Sequence, residues 1–115
     1  MMERLVQRTR ALRVGHGLTE PQMGPLISAA HRRLIAGYVD GARARRIAVA
    51  AGGHEMAVEG CEGGYFYAPT ILDAVAADDV VVQEESFGPV LSVQVVDSAE
   101  EAIALANGTP FGLCA

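Results

Sequence analysis

No lysine and no tryptophan occur among the 115 residues, and no basic residue of any kind follows Arg46. All nine bases are arginines, and with Glu3, Glu20 and Asp40 they leave residues 1–46 at +6. Residues 47–115 hold eleven acids and no base, a balance of −11, so the net charge is −5. The arginines are spread over helix faces rather than set between aromatics, and the chain as a whole is acidic, which argues against a nucleic-acid partner. Cysteine is scarce too. Cys61 and Cys114 make no disulfide framework and show no zinc-type spacing with His16, His31 or His54, so no metal site is expected. No apolar run reaches the roughly 18 residues of a membrane span. Met1-Met2-Glu3-Arg4 leads into an amphipathic segment without the apolar core of a secretory signal, so no membrane is expected and the cytoplasm is the default compartment. Gly52-Gly53 and Gly63-Gly64 match neither G-x-G-x-x-G nor the Walker pattern and read as turns, leaving no dinucleotide-fold signature.

What is present suits a packed core. Half of the 12.1 kDa chain is hydrophobic, enough for one domain at most or a piece of one. Glu3 to Arg13 reads as a helix, with Leu5, Val6, Thr9 and Leu12 on one face and Gly15 and Gly17 beyond it. Val14 to Ile27 is punctuated by glycine and proline and reads as a loop that needs a surface to lie on; His16 there is a loop histidine, with no nucleophile nearby to serve as a base. Ser28 caps a second helix, Ala29 to about Arg45, with Leu34, Ile35, Tyr38, Val39 and Ala42 on its apolar face. Ile47 to Ala51 reads as a buried strand of a parallel sheet. Cys61 lies between Glu59 and Glu62, whose charges oppose a reactive thiolate. Tyr65 to Val75 is strand-like, with Pro69 implying an edge or a bend. Asp78-Asp79 caps a short turn through Val82, Leu91 to Val96 alternates as a half-buried strand, and Ser98-x-x-Glu101 opens a helix closed by Asn107-Gly108. Phe111 to Ala115 starts a further extended run.

One stretch stands apart: Gln83-Glu84-Glu85-Ser86-Phe87-Gly88-Pro89-Val90. It sets two carboxylates near a phenyl ring on a corner. A carboxylate accepts charge-assisted hydrogen bonds from neighbouring sugar hydroxyls, and a phenyl ring packs on a flat ring attached to that sugar. Gly88 is expected to supply backbone angles that a side chain forbids, and Pro89 fixes the next φ. Around this corner stand Met23-Gly24-Pro25-Leu26-Ile27, Gly64-Tyr65-Phe66-Tyr67-Ala68-Pro69-Thr70-Ile71-Leu72, and Glu100 to Asn107 followed by Phe111-Gly112-Leu113.

In this order and spacing the set resembles the aldehyde dehydrogenase superfamily, in the C-terminal part of its catalytic domain, over nearly the whole chain. The resemblance implies an α/β fold: part of a three-layer αβα catalytic domain with a mostly parallel sheet, residues 1–115 being a fragment without the dinucleotide-binding domain. It implies oxidation of an aldehyde to an acid through a cysteine thiohemiacetal and thioester, with NAD or NADP as cofactor and full-length members that are homo-oligomers. By position, the resemblance implies that Glu85 corresponds to the family's residue that binds the nicotinamide-ribose hydroxyls and Phe87 to the one that packs by the nicotinamide, with Glu84 expected to be a solvated neighbour. The family's cysteine nucleophile, glutamate base and asparagine belong to motifs not found here, so no catalytic residue is assigned and the chain alone is expected to be inactive. The competing expectation is a stand-alone, non-catalytic interaction or regulatory module derived from the same fold.

Overall fold

The computed structural model describes residues 1–112. Helix α1 (Met2–Arg10) is followed by a 3-10 turn at Gly17–Thr19 and helix α2 (Ala29–Ala44). Strands β1 (Ala48–Ala51) and β2 (Thr70–Asp73), a one-turn helix α3 (Val80–Gln83), strand β3 (Val90–Ser92) and helix α4 (Ala99–Ala106) complete the order. Leu113 to Ala115, and with them Cys114 and the end of the expected final extended run, lie outside the described residues. No helix among the described residues is long and apolar enough to cross a membrane.

The architecture is α/β, with helices packed on a three-stranded sheet of order β1-β2-β3. β2 is the central strand, and Ile71 and Leu72, neighbours that point to opposite faces, are both fully buried. On one face α2 contributes Ile35, Val39 and Ala42, at i, i+4 and i+7, which pack with Tyr67, Leu72 and Val75. Full burial of side chains the size of Ile35, Val39 and Leu72 contributes about 1.5–3 kcal/mol each. α1 packs against β1 and β2, and Arg10 donates to the Ala50 carbonyl at 3.3 Å.

Several expectations are corrected in detail. The sheet is mixed: β2 and β3 are parallel, but β1 runs antiparallel to β2, so Ile47 to Ala51 is not a strand of a parallel sheet. β1 is also only half-buried, with a register shift between Val49 and Ala51 before Gly52 and Gly53 turn the chain at φ 67° and 79°. Pro69 does not mark an edge, since β2 is the central strand, but it does interrupt the run, between the isolated bridge of Tyr67 with Glu55 and the first residue of β2. It stands one residue before β2, where its missing N–H costs no ladder bond, and the Tyr65 to Val75 run is regular only from Thr70. The α2 stripe is narrower than expected, because Leu34 is half exposed and Tyr38 partly so. α1 stops at Arg10 rather than Arg13, and β3 ends at Ser92 although Val93 still donates to Leu72 and accepts from Val75.

The loop from Val14 to Ile27 is held by its own polar groups as well as by a surface. Arg13 O accepts from Gln22 and Met23, His16 Nδ1 accepts from Leu18 N, and Leu26 N donates to Tyr65 O at 2.9 Å. His16 is thus a cap on the 3-10 turn.

The two charge halves meet where α2 ends and α3 begins. Arg45 grips Asp79 through two bonds of 2.7 and 2.8 Å, while Asp79 also caps α3 by accepting from Val81 N at 3.0 Å. The Asp79 side chain is only 9% exposed, and its bond to Arg45 holds its pKa below the ordinary carboxylate range. A carboxyl depressed in this way stabilises the fold above its unfolded pKa, and that contribution is lost as pH falls through the lowered value. Asp79→Asn is therefore expected to cost about 1–2 kcal/mol at pH 7, the worth of a charged hydrogen bond beside a retained cap. Urea melts at pH 7 and pH 3 check this: the difference between variant and parent should shrink at the lower pH.

Candidate site at the Glu84–Pro89 corner

The corner joins α3 to β3 and is tied down from three sides. Glu84 N donates to Val80 O and closes α3, Thr70 N on β2 donates to Pro89 O at 2.8 Å, and Val90 N donates back to Gly88 O around Pro89. Gln83 Nε2 reaches Ala77 O at 2.7 Å and Gly108 O at 3.2 Å, anchoring the chain just before the corner.

The left-handed angle falls on Phe87, at φ 51°, and not on Gly88, which is absent from the positive-φ residues. Gly88 is required for a different reason. A Cβ there would collide with the Cδ1 and Cγ1 atoms of Ile35, which has no exposed surface into which it could move. The expectation of a glycine needed for its angles is thus replaced by a glycine needed for its size.

Helix α2 supplies two polar contacts to the corner that the residue pattern did not announce. The His31 ring nitrogen Nε2 lies 3.1 Å from Phe87 O, and a carbonyl only accepts, so Nε2 carries the proton. Tyr38 donates its hydroxyl to Glu84 Oε2 at 2.5 Å. That bond is the main reason the Tyr38 pKa is raised, so the hydroxyl keeps its proton. Glu84 is exposed, in line with its reading as a solvated neighbour, and is in addition bonded to Tyr38. The helical spacing of His31, Ile35 and Tyr38 was the available signal for a shared face.

Glu85 and Phe87 are both exposed at this corner, and of the two Phe87 lines the cleft beside it. Glu85 is exposed and has no hydrogen bond or ion pair among the described residues. Phe87 is 81% exposed and lines a cleft of about 280 Å³ together with residues 23–26, Tyr67, Gly88 and Pro89. Burial raises the Tyr67 pKa, against a smaller opposing effect of Arg43, so this wall is neutral. The cleft is mainly apolar, with a free carboxylate on the neighbouring stretch. Among the described residues no group of three or more His, Cys, Asp or Glu side chains could hold a metal ion. Cys61 is free and partly buried in its loop, away from the corner in sequence.

The model of the Aldehyde dehydrogenase family matches residues 1–115. The chain belongs to the aldehyde dehydrogenase family. It is 44% identical to a betaine aldehyde dehydrogenase of Brucella anthropi and 41% identical to one of Mesorhizobium japonicum, each over 99% of this chain and 24% of the relative. The chain thus spans about a quarter of the length of these curated relatives. Among solved structures, the betaine aldehyde dehydrogenase of Staphylococcus aureus in complex with NAD+ superposes with a TM-score of 0.89 at 36% identity, over 96% of this chain and 22% of that one. An NAD+ complex of an aldehyde dehydrogenase from Bacillus cereus gives 0.86 at 36% identity, over 96% and 22%.

Within this family member the Gly88–Ile35 approach is a direct test of the corner. Gly88→Ala should cost about 1–3 kcal/mol by overpacking. Ile35→Val removes the Cδ1 atom and should recover part of that loss when combined with Gly88→Ala. Additive losses in a double-mutant cycle, read by chemical denaturation, would show that the two residues do not touch.

Proposed function

We propose that residues 1–115 are part of the catalytic domain of an NAD(P)-dependent aldehyde dehydrogenase, contributing the grip on the nicotinamide-ribose half of the cofactor. The observation that carries this reading is the pairing, on one open corner, of a carboxylate without an internal partner and a phenyl ring left in solvent. Both residues fit the group. Glu85 would accept hydrogen bonds from the two ribose hydroxyls, and Phe87 would pack on the nicotinamide riboside, steadying it in the apolar cleft. When bound, the cofactor supplies a hydride acceptor for the oxidation of an aldehyde. Misplacement of such a ring by about 1 Å can cost on the order of a hundredfold in rate, so holding the ribose is itself a contribution to the reaction.

The nucleophile, the general base and the dinucleotide-binding half are assigned to other parts of the protein, so this chain alone does not turn over. The relatives in complex with NAD+ support a cofactor of that type. The half-exposed Leu91 and the more exposed Val95 and Ile103 support apolar contacts with further parts of the domain, and equally a second reading in which the chain is an interaction module docking on a full-length relative.

Glu85→Gln in the complete protein should weaken equilibrium binding of NAD+ by about tenfold to a hundredfold, the worth of charge-assisted hydrogen bonds, measured by titration calorimetry. An unchanged dissociation constant would overturn the ribose assignment. Residues 1–115 alone should show no NAD+-dependent oxidation of betaine aldehyde, followed by absorbance of the reduced cofactor.

A further inference from the structure

His31, Ile35 and Tyr38 lie at i, i+4 and i+7 on α2, along one stripe of two helical turns. Each meets a different point of the corner: His31 meets Phe87 O, Ile35 meets the backbone of Gly88, and Tyr38 meets the Glu84 carboxylate. The two polar contacts therefore bracket the segment Glu85-Ser86, with one bond just before it and one just after. We infer that His31 and Tyr38 are positioning residues that set Glu85 and Phe87 for the cofactor, an inference that rests on the reading of those two as its ribose and ring contacts.

The geometry gives each a distinct task. Phe87 carries a left-handed backbone angle that a phenylalanine rarely adopts, and its ring is too exposed to hold that angle by packing. The bond from His31 to the Phe87 carbonyl holds the peptide that follows the ring and so fixes which way the ring leaves the chain. The backbone that carries His31 is fixed in the first turn of α2, where its main-chain N–H donates to the capping Ser28 hydroxyl. Tyr38 takes one of two adjacent carboxylates out of competition. Both are exposed, and with Glu84 bonded to Tyr38 it is Glu85 that is left without a hydrogen bond among the described residues. Without that bond either acid could turn toward a sugar, and Glu85 would no longer be singled out.

The test uses the complete protein carrying this chain, with His31→Ala, His31→Gln and Tyr38→Phe beside Glu85→Gln. Two measurements are made: amide hydrogen exchange of the peptide covering residues 84–90, and the dissociation constant of NAD+. His31→Ala and Tyr38→Phe should each raise exchange in that peptide and weaken NAD+ binding by about tenfold, with thermal midpoints recorded. His31→Gln, whose amide can donate to the same carbonyl, should restore both readings. A merely structural role would shift the midpoint and leave the dissociation constant unchanged, which overturns the inference. Unchanged exchange in both variants also overturns it, because the corner is then held without them. Tyr38→Phe removes one oxygen and keeps the ring, so it decides the matter even where His31→Ala does not fold. If Glu85→Gln alone leaves NAD+ binding intact, the ribose reading fails, while the exchange data still report whether α2 holds the corner.

Discussion

Ile35 has no exposed surface, and the backbone of Gly88 lies against the end of its side chain. Everything that distinguishes the corner depends on that approach. It brings the loop after α3 within reach of α2, so that the hydroxyl of Tyr38 and the ring of His31 can bond to it. It also leads the chain directly into β3, whose pairing with β2 starts at Val90, one residue after Pro89 accepts from Thr70. A single methyl at position 88 would separate these elements, because interiors at close-packed density have no room to absorb it.

The uneven charge of the chain is put to work in three dimensions. Arg45 with Asp79 joins the end of α2 to the start of α3, and Arg32 reaches Glu55 at 3.1 Å and the Gly64 carbonyl at 3.3 Å. In both cases an arginine from the first part of the sequence holds an acid or a carbonyl of the second. Arg32 also lies 5.9 Å from the centre of the Tyr65 ring. The planar, many-donor guanidinium suits these shared contacts better than the point charge of a lysine would. The Asp79 pair is the more consequential, since the carboxylate is nearly enclosed and doubles as a helix cap, whereas the Glu55 carboxylate is half exposed and screened by water.

Helix positions were legible in the residues because caps and periodicity are local: Ser28, Asp79 and Ser98 each accept a backbone N–H where the sequence places a cap. The family could be read from the spacing of the Glu-Glu-x-Phe-Gly-Pro hexapeptide and its neighbours. Strand direction could not. Ile47 to Ala51 is apolar enough for a buried parallel strand, but whether it runs with or against β2 is decided by the path through the loop of residues 52–69, which carries no local signature. The same limit applies to the corner. Glu85 and Phe87 could be picked out by type and position, but the partners of Glu84 and Phe87 lie 46 and 56 residues away in the chain. Gly88 shows the difference most plainly, since its neighbour Pro89 suggested an angle and its three-dimensional neighbour Ile35 sets a volume.

Helix α4 has no buried residue, and Ile103 on its apolar stripe is largely in solvent. Ser98 and the bond from Asp97 N to Glu101 secure its start, and the bonds from Asn107 Nδ2 to Ile103 O and from Gln83 to Gly108 O secure its end. An eight-residue helix with so little packing is marginal in water. It is therefore expected to open at a lower free energy than the sheet. Isolated, the chain would have two tiers of motion: α2 and β2 protected up to the global unfolding free energy, and α4 fraying far below it. Any surface that covers Ile103 would merge the two tiers into one cooperative unit, so the protection of α4 is a gauge of whether that face is covered.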